Sequence, residues 1–137
     1  ILIGKQGVCH FHCERWIEAT ECFEQAIQLA NRQIPEAFEF YGFLAVLCHR
    51  LGQAEKAQEL LTEGASGLIN IPELLAKLWC QQAHILILDE QLEIVPELLE
   101  RATAVADKIE VCPEGVLRRN IDAVTKIYIK CIAQTLN

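Results

Sequence analysis

Residues 14–30 read ERWIEATECFEQAIQLA. Ala19, Phe23 and Ala26 recur at spacings of four and three, which places them on one face of a helix. Glu18, Glu21 and Glu24 fall on the other faces. A small–large–small stripe lets a second helix approach closely while the large residue fills the remaining space. The same stripe returns 38 residues later as Ala57, Leu61 and Gly64, and again as Val95, Leu99 and Ala102. A further small column runs through Gly7, Ala45 and Ala83 at the same offset. Four columns in register across three units mark an internal repeat.

Each unit reads as two helices. The first is seen in PEAFEFYGFLAVLCHRLG, from Pro35 to Gly52. Pro35 and Pro72 suit a first helical turn, where a missing N–H costs nothing. Glu36 and Glu73 follow, favoured by the helix dipole. Gly52 ends the first helix of unit two and opens a tight turn. The second helix is QAEKAQELLTEGA, with Ala54, Ala57, Leu61 and Gly64 as its stripe. In unit three, Pro96 is expected to open the second helix, because PELL occurs at both Pro72 and Pro96. The expected units cover about 1–34, 35–71 and 72–111 of one domain spanning 1–137. A terminal helix is expected over 113–136, opened by Pro113 and Glu114, with Leu117, Ile121, Val124, Tyr128, Cys131 or Ile132, and Leu136 on one face. It either caps the array or begins a further repeat.

A helix pair with these columns resembles the tetratricopeptide repeat. The best match is residues 14–30, with Trp16, Ala19, Phe23 and Ala26 on that family's second-helix positions. LGQAEKAQELL is the next best. The resemblance covers about residues 1–110 and departs in its 38-residue period, in a displaced proline and in Val95 and Pro96. It implies an all-α, right-handed α-solenoid of about three helix pairs plus a C-terminal helix. It also implies a scaffold or adaptor that binds a protein or peptide in a concave groove made by first helices. The groove positions carried over are Gly4, Val8, Phe11 and His12, then Glu39, Gly42, Val46, His49 and Arg50, then Lys77, Cys80, His84, Ile87 and Leu88. Val8, Phe11, His12, Val46, His49, Arg50, His84, Ile87 and Leu88 are the expected contacts. Gly4, Val8 and Val46 occupy columns where some relatives use lysines and asparagines for acidic peptides. The alternatives are a groove filled by another helix of the same protein, a peptide- or ligand-sensing arm of a regulator, and a metal or redox module.

Composition bounds these readings. The 137 residues are 52% hydrophobic with a net charge of −7, enough apolar content for a core. No apolar run reaches the roughly 18 residues of a membrane span. The acidic balance disfavours nucleic acid and anionic membranes. Residues 113–137 reverse it, with two acids against Arg118, Arg119, Lys126 and Lys130. No signal-peptide pattern stands at Ile1–Gly4, and the chain has no Met, so a piece of a longer protein is expected. Seven scattered cysteines without a CxxC pair read as reduced thiols, implying a cytoplasmic, reducing compartment.

CHFHC, Cys9 to Cys13, sets four metal-ligand side chains in five positions. On a helix, Cys9 and Cys13 share a face, whereas His10 and His12 diverge from it. A closed zinc site needs four ligands, so no metal or cofactor is expected. At the repeat offset the pair aligns with Leu47 and Leu51. Leu2, Gln6, Cys9 and Cys13 are therefore expected to be a packing edge, open to self-association. Glu14, Glu18, Glu21, Glu24, Glu55, Glu59 and Glu63 read as a hydrated convex face. Nothing in the spacing convenes a nucleophile with a base, so the chain is not expected to be an enzyme.

Overall fold

The structure is a computed structural model, which describes residues 2–31, 33–110 and 115–136. Cys112, Pro113 and Glu114, and with them the expected opening of the terminal helix, lie outside the described residues. Among the described residues there are seven α-helices and no strand. The all-α expectation is met. The helices are α1 (Leu2–His12), α2 (Trp16–Ala30), α3 (Glu39–Arg50), α4 (Ala54–Gly67), α5 (Pro72–Leu88), α6 (Val95–Ile109) and α7 (Val116–Leu136). None of the described helices is long and apolar enough to cross a membrane.

Every position of the four 38-residue columns is buried. Ala19, Phe23, Ala26, Ala45, Ala83, Val95 and Ala102 have no exposed surface. Gly7, Ala57, Leu61, Gly64 and Leu99 complete the set. The repeat therefore lives in the packing of this helical, repeat-like chain.

The turns repeat as well. Glu14, Gly52 and Glu90 stand 38 residues apart, and each has a left-handed backbone, with φ of 60°, 82° and 58°. Each closes a first helix with the same two hydrogen bonds. Arg15, Gln53 and Gln91 donate their N–H groups to the carbonyls of His10, Cys48 and Leu86, all at 2.9 Å. Glu14, Gly52 and Glu90 donate to Phe11, His49 and Ile87 at 3.0–3.1 Å. This paired pattern is the Schellman motif, which satisfies carbonyls left over at a helix end.

The chain divides into two compact units, Ile1–Asn70 and Ile71–Asn137. In the first, α1 packs on α2, α2 on α3 and α3 on α4. The centre is a row of rings. Phe23 stacks between Phe40 and Phe43 at centroid distances of 5.8 and 5.4 Å. A Cβ at Gly7 would meet the Phe23 ring at 2.8 Å, and one at Gly4 would fall on the Phe40 ring. α1 is thus seated on α2 and α3 only because these two positions lack side chains. Pro35 does not start the α-helix directly. Residues Pro35–Phe38 form a 3-10 turn, a common prelude to a helix, and α3 begins at Glu39.

In the second unit, Ala76, Cys80, Ala83 and Ile87 of α5 pack with Val95, Leu98, Leu99, Ala102 and Ala106 of α6. Pro72 and Pro96 both stand in the first turns of their helices, as the sequence suggested. α7 closes this core with Leu117, Ile121 and Val124, and Tyr128 and Cys131 pack at its border. Burying three such side chains contributes roughly 1.5–3 kcal/mol each, enough to hold α7 in place. The expected stripe runs out there, because Leu136 is 81% exposed.

Candidate partner-binding surface

The nine expected contact residues do not share one kind of environment. Val46 has no exposed surface, and Phe11 and His84 are buried. Phe11 lies edge-on to Trp16 at 5.5 Å and to Phe43 at 5.1 Å. Ile87 belongs to the core of the second unit, among side chains of α5, α6 and α7. Phe11, Val46, His84 and Ile87 are thus interior residues in this structure. Gly4, Gly42 and Cys80, from the wider groove set, are buried too. For Gly42 and Val46 the reason is that α3 is buried at every position from Phe40 to Cys48, which leaves that stretch no free face for a groove column.

The others reach the surface. Val8 and His49 are half-buried, His12 and Arg50 are exposed, and Leu88 stands at the margin. The His12 ring lies edge-on to Phe11 at 5.6 Å and Phe43 at 6.3 Å. Loss of solvent on that side lowers its pKa from 6.5, because burial disfavours the charged imidazolium.

Arg50 leads to a cleft of the first unit. Its guanidinium carbon lies 4.7 Å from the ring centroid of Trp16, a cation–π contact. Around this pair, Ile17, Thr20, Glu21, Leu47 and Leu51 line a cleft of about 520 Å³. Leu47 is a buried wall, while Ile17 is 73% and Leu51 71% exposed. The Thr20 hydroxyl donates to the Trp16 carbonyl at 2.8 Å, so that polar group is already satisfied. Two bare aliphatic side chains beside an Arg–Trp pair form a surface that water covers poorly.

The repeat register shows that the fold does not require this patch. Trp16 and Ile17 open α2, and their counterparts at the start of α4 are Ala54 and Glu55. Arg50 and Leu51 end α3, and their counterparts at the end of α5 are Leu88 and Asp89. Sequence reading used Trp16 as a repeat marker, passed over Ile17, and placed Leu51 on a packing stripe with Phe40, Leu44 and Leu47, of which those three are buried and Leu51 is not. Comparing surface columns across the units, rather than core columns, would have found them.

Two other features were singled out in the sequence. Glu55, Glu59 and Glu63 line a shallow hollow of about 740 Å³ on α4, beside Phe38. Carboxylates one turn apart repel one another and hold their water, so covering them carries a desolvation cost that the apolar cleft does not. In CHFHC, Cys9 and Cys13 are exposed and His10 is half-buried. Leu2 is 74% exposed. Among the described residues no group of three or more His, Cys, Asp or Glu side chains lies close enough together to hold a metal ion. No family model, curated protein or solved structure matches this chain.

Proposed function

We propose that the chain is a protein-interaction domain built on tetratricopeptide-like helix pairs, working through the cleft between α2 and the end of α3. The observation that supports this reading most is the pair of exposed aliphatic residues, Ile17 and Leu51, beside Arg50 and Trp16; at the repeat offset Ile17 aligns with Glu55 and Glu93, and Leu51 with Cys13 and Asp89. Interface energy concentrates in a few residues, with Trp and Arg over-represented. Covering Ile17 and Leu51 would yield roughly 1.5–3 kcal/mol each. Arg50, already oriented by Trp16, offers a fixed cation to a carboxylate on the partner. The role is binding rather than catalysis, in a reducing cytoplasmic setting, with a protein or peptide as ligand and neither nucleic acid nor membrane.

The test is affinity capture from source lysate with wild type, Ile17→Asp and Arg50→Glu, after circular dichroism has shown equal helicity. Both positions are exposed, so the fold should tolerate the changes. Partners captured by wild type and lost with both variants would support the cleft. Identical recoveries would exclude it and turn attention to the acidic face of α4.

A further inference from the structure

We propose that Cys9 and Cys13 together form a two-thiolate site for a thiophilic monovalent cation of the copper(I) class. This inference is independent of the cleft and rests on a different part of α1. Among the described cysteines only these two are exposed; Cys22 and Cys131 are half-buried, and Cys48 and Cys80 are buried. They lie one helical turn apart, with the Cys13 N–H donating to the Cys9 carbonyl at 3.1 Å. The Schellman motif just beyond holds Cys13 in that position, through the Glu14 and Arg15 N–H groups at 3.1 and 2.9 Å. The pair is therefore fixed by a capped helix end rather than by a loose loop.

Reach and chemistry agree. Side chains four apart on a helix have Cβ atoms about 5–6 Å apart. Two metal–thiolate bonds of roughly 2.3 Å span about 4.6 Å, which two rotating Cβ–Sγ arms can match. Soft thiolates favour copper(I), and two of them supply a linear two-coordinate ion. Zinc needs a closed shell of four, which the described residues do not provide. On binding, each S–H gives its proton to solvent, two metal–sulfur bonds form, and no electron moves. The thiolate–metal–thiolate unit then carries one negative charge. Lys5, exposed and one turn before Cys9, lies on the same helix face to offset it.

Repeat packing does not explain the thiols. Their counterparts in the second unit of the repeat are Leu47, which is buried, and Leu51, which is not; in the third they are Ile85 and Asp89. A packing column asks for an aliphatic residue at the first position and asks nothing of the second.

The experiment uses the reduced full chain, titrated anaerobically with copper(I) held by a coloured competing chelator. One copper(I) per chain should be withdrawn from the chelator. Cys9→Ser and Cys13→Ser should each abolish this, whereas Cys22→Ser and Cys131→Ser should leave it unchanged. Zinc(II) at equal concentration should not displace the copper. Circular dichroism checks that the serine variants fold, as expected for exposed sites. Withdrawal that survives loss of Cys9 or Cys13 overturns the proposal. So does one ion per two chains with a matching dimer on gel filtration, which would place the metal between copies. Tight zinc binding that depends on His10 or His12 would overturn it as well.

Discussion

The three Schellman turns invite one substitution in two directions. Glu14 and Glu90 hold φ near 60° and Gly52 holds 82°. For a residue with a Cβ, the left-handed region costs roughly 1–2 kcal/mol. Glycine avoids that cost but loses about 0.5–1 kcal/mol through the extra freedom of its unfolded chain. Glu14→Gly and Glu90→Gly should each stabilise the protein by about 0.5–1 kcal/mol. The sites lie far apart in the chain without shared partners, so the double variant should gain close to the sum. In the opposite direction, Gly52→Ala should lose about 1 kcal/mol. A Cβ there meets nothing within 4 Å, so that loss is purely a backbone effect. Urea denaturation followed by circular dichroism reads the differences, and each glycine variant should melt ~2–4 °C higher. Glycine inside an ordinary helix costs about 1 kcal/mol relative to alanine. A loss of that kind in Glu14→Gly would refute the left-handed turn and the repeat of turn geometry with it.

Gly7→Ala should destabilise the first unit by about 1–3 kcal/mol through overpacking, since the new methyl meets the fully buried Phe23 ring at 2.8 Å; a chemical melt measures it, and a neutral result would mean α1 is not seated on that ring. Glu110 Oε2 accepts from the Leu117 N–H and Oε1 from the Arg118 N–H, both at 3.0 Å. Glu110→Ala removes this carboxylate cap of α7 and should cost about 1 kcal/mol, with faster amide exchange at residues 117 and 118. His12 has a folded pKa below its ordinary 6.5, so the unfolded chain takes up the proton first as pH falls. The stability it contributes is present above 6.5 and is lost as pH drops from there through the folded value. His12→Asn should therefore narrow the difference in melting temperature between about pH 7.5 and about pH 5.5.

The core was legible because it obeys a period. Ala19, Phe23 and Ala26 declared a helix face, and the 38-residue offset carried that face to α4 and α6, where it is buried. Pro72 and Pro96 likewise announced helix starts that are found there. The turns were half legible. Gly52 advertised its left-handed backbone, but Glu14 and Glu90 adopt the same conformation with a residue type that hides it. The surface was the least legible. Groove columns were carried over from the family resemblance, and a carried-over column finds a free face only on a helix that has one. α3 is buried through nine consecutive residues, and Ile87 is claimed by α6 and α7. Arg50, named from the same columns, is exposed because it ends its helix. Ile17 and Leu51 escaped because an apolar residue in a repeat looks like core until its exposure is seen.

Each unit also carries its own optical reporter. The protein has two tryptophans. Trp16 belongs to the first unit and Trp79 to the second. Both have a guanidinium over the ring, Arg50 at 4.7 Å and Arg101 at 4.8 Å. Unfolding removes the cation and hydrates the indole in each case. Trp79→Phe leaves emission from the first unit alone, and Trp16→Phe leaves that of the second. The two single-tryptophan proteins thus allow each half's cooperativity to be followed separately, with no extrinsic dye. Superimposed transitions would mean that the halves melt as one body, and separated transitions would assign each step to its own helices.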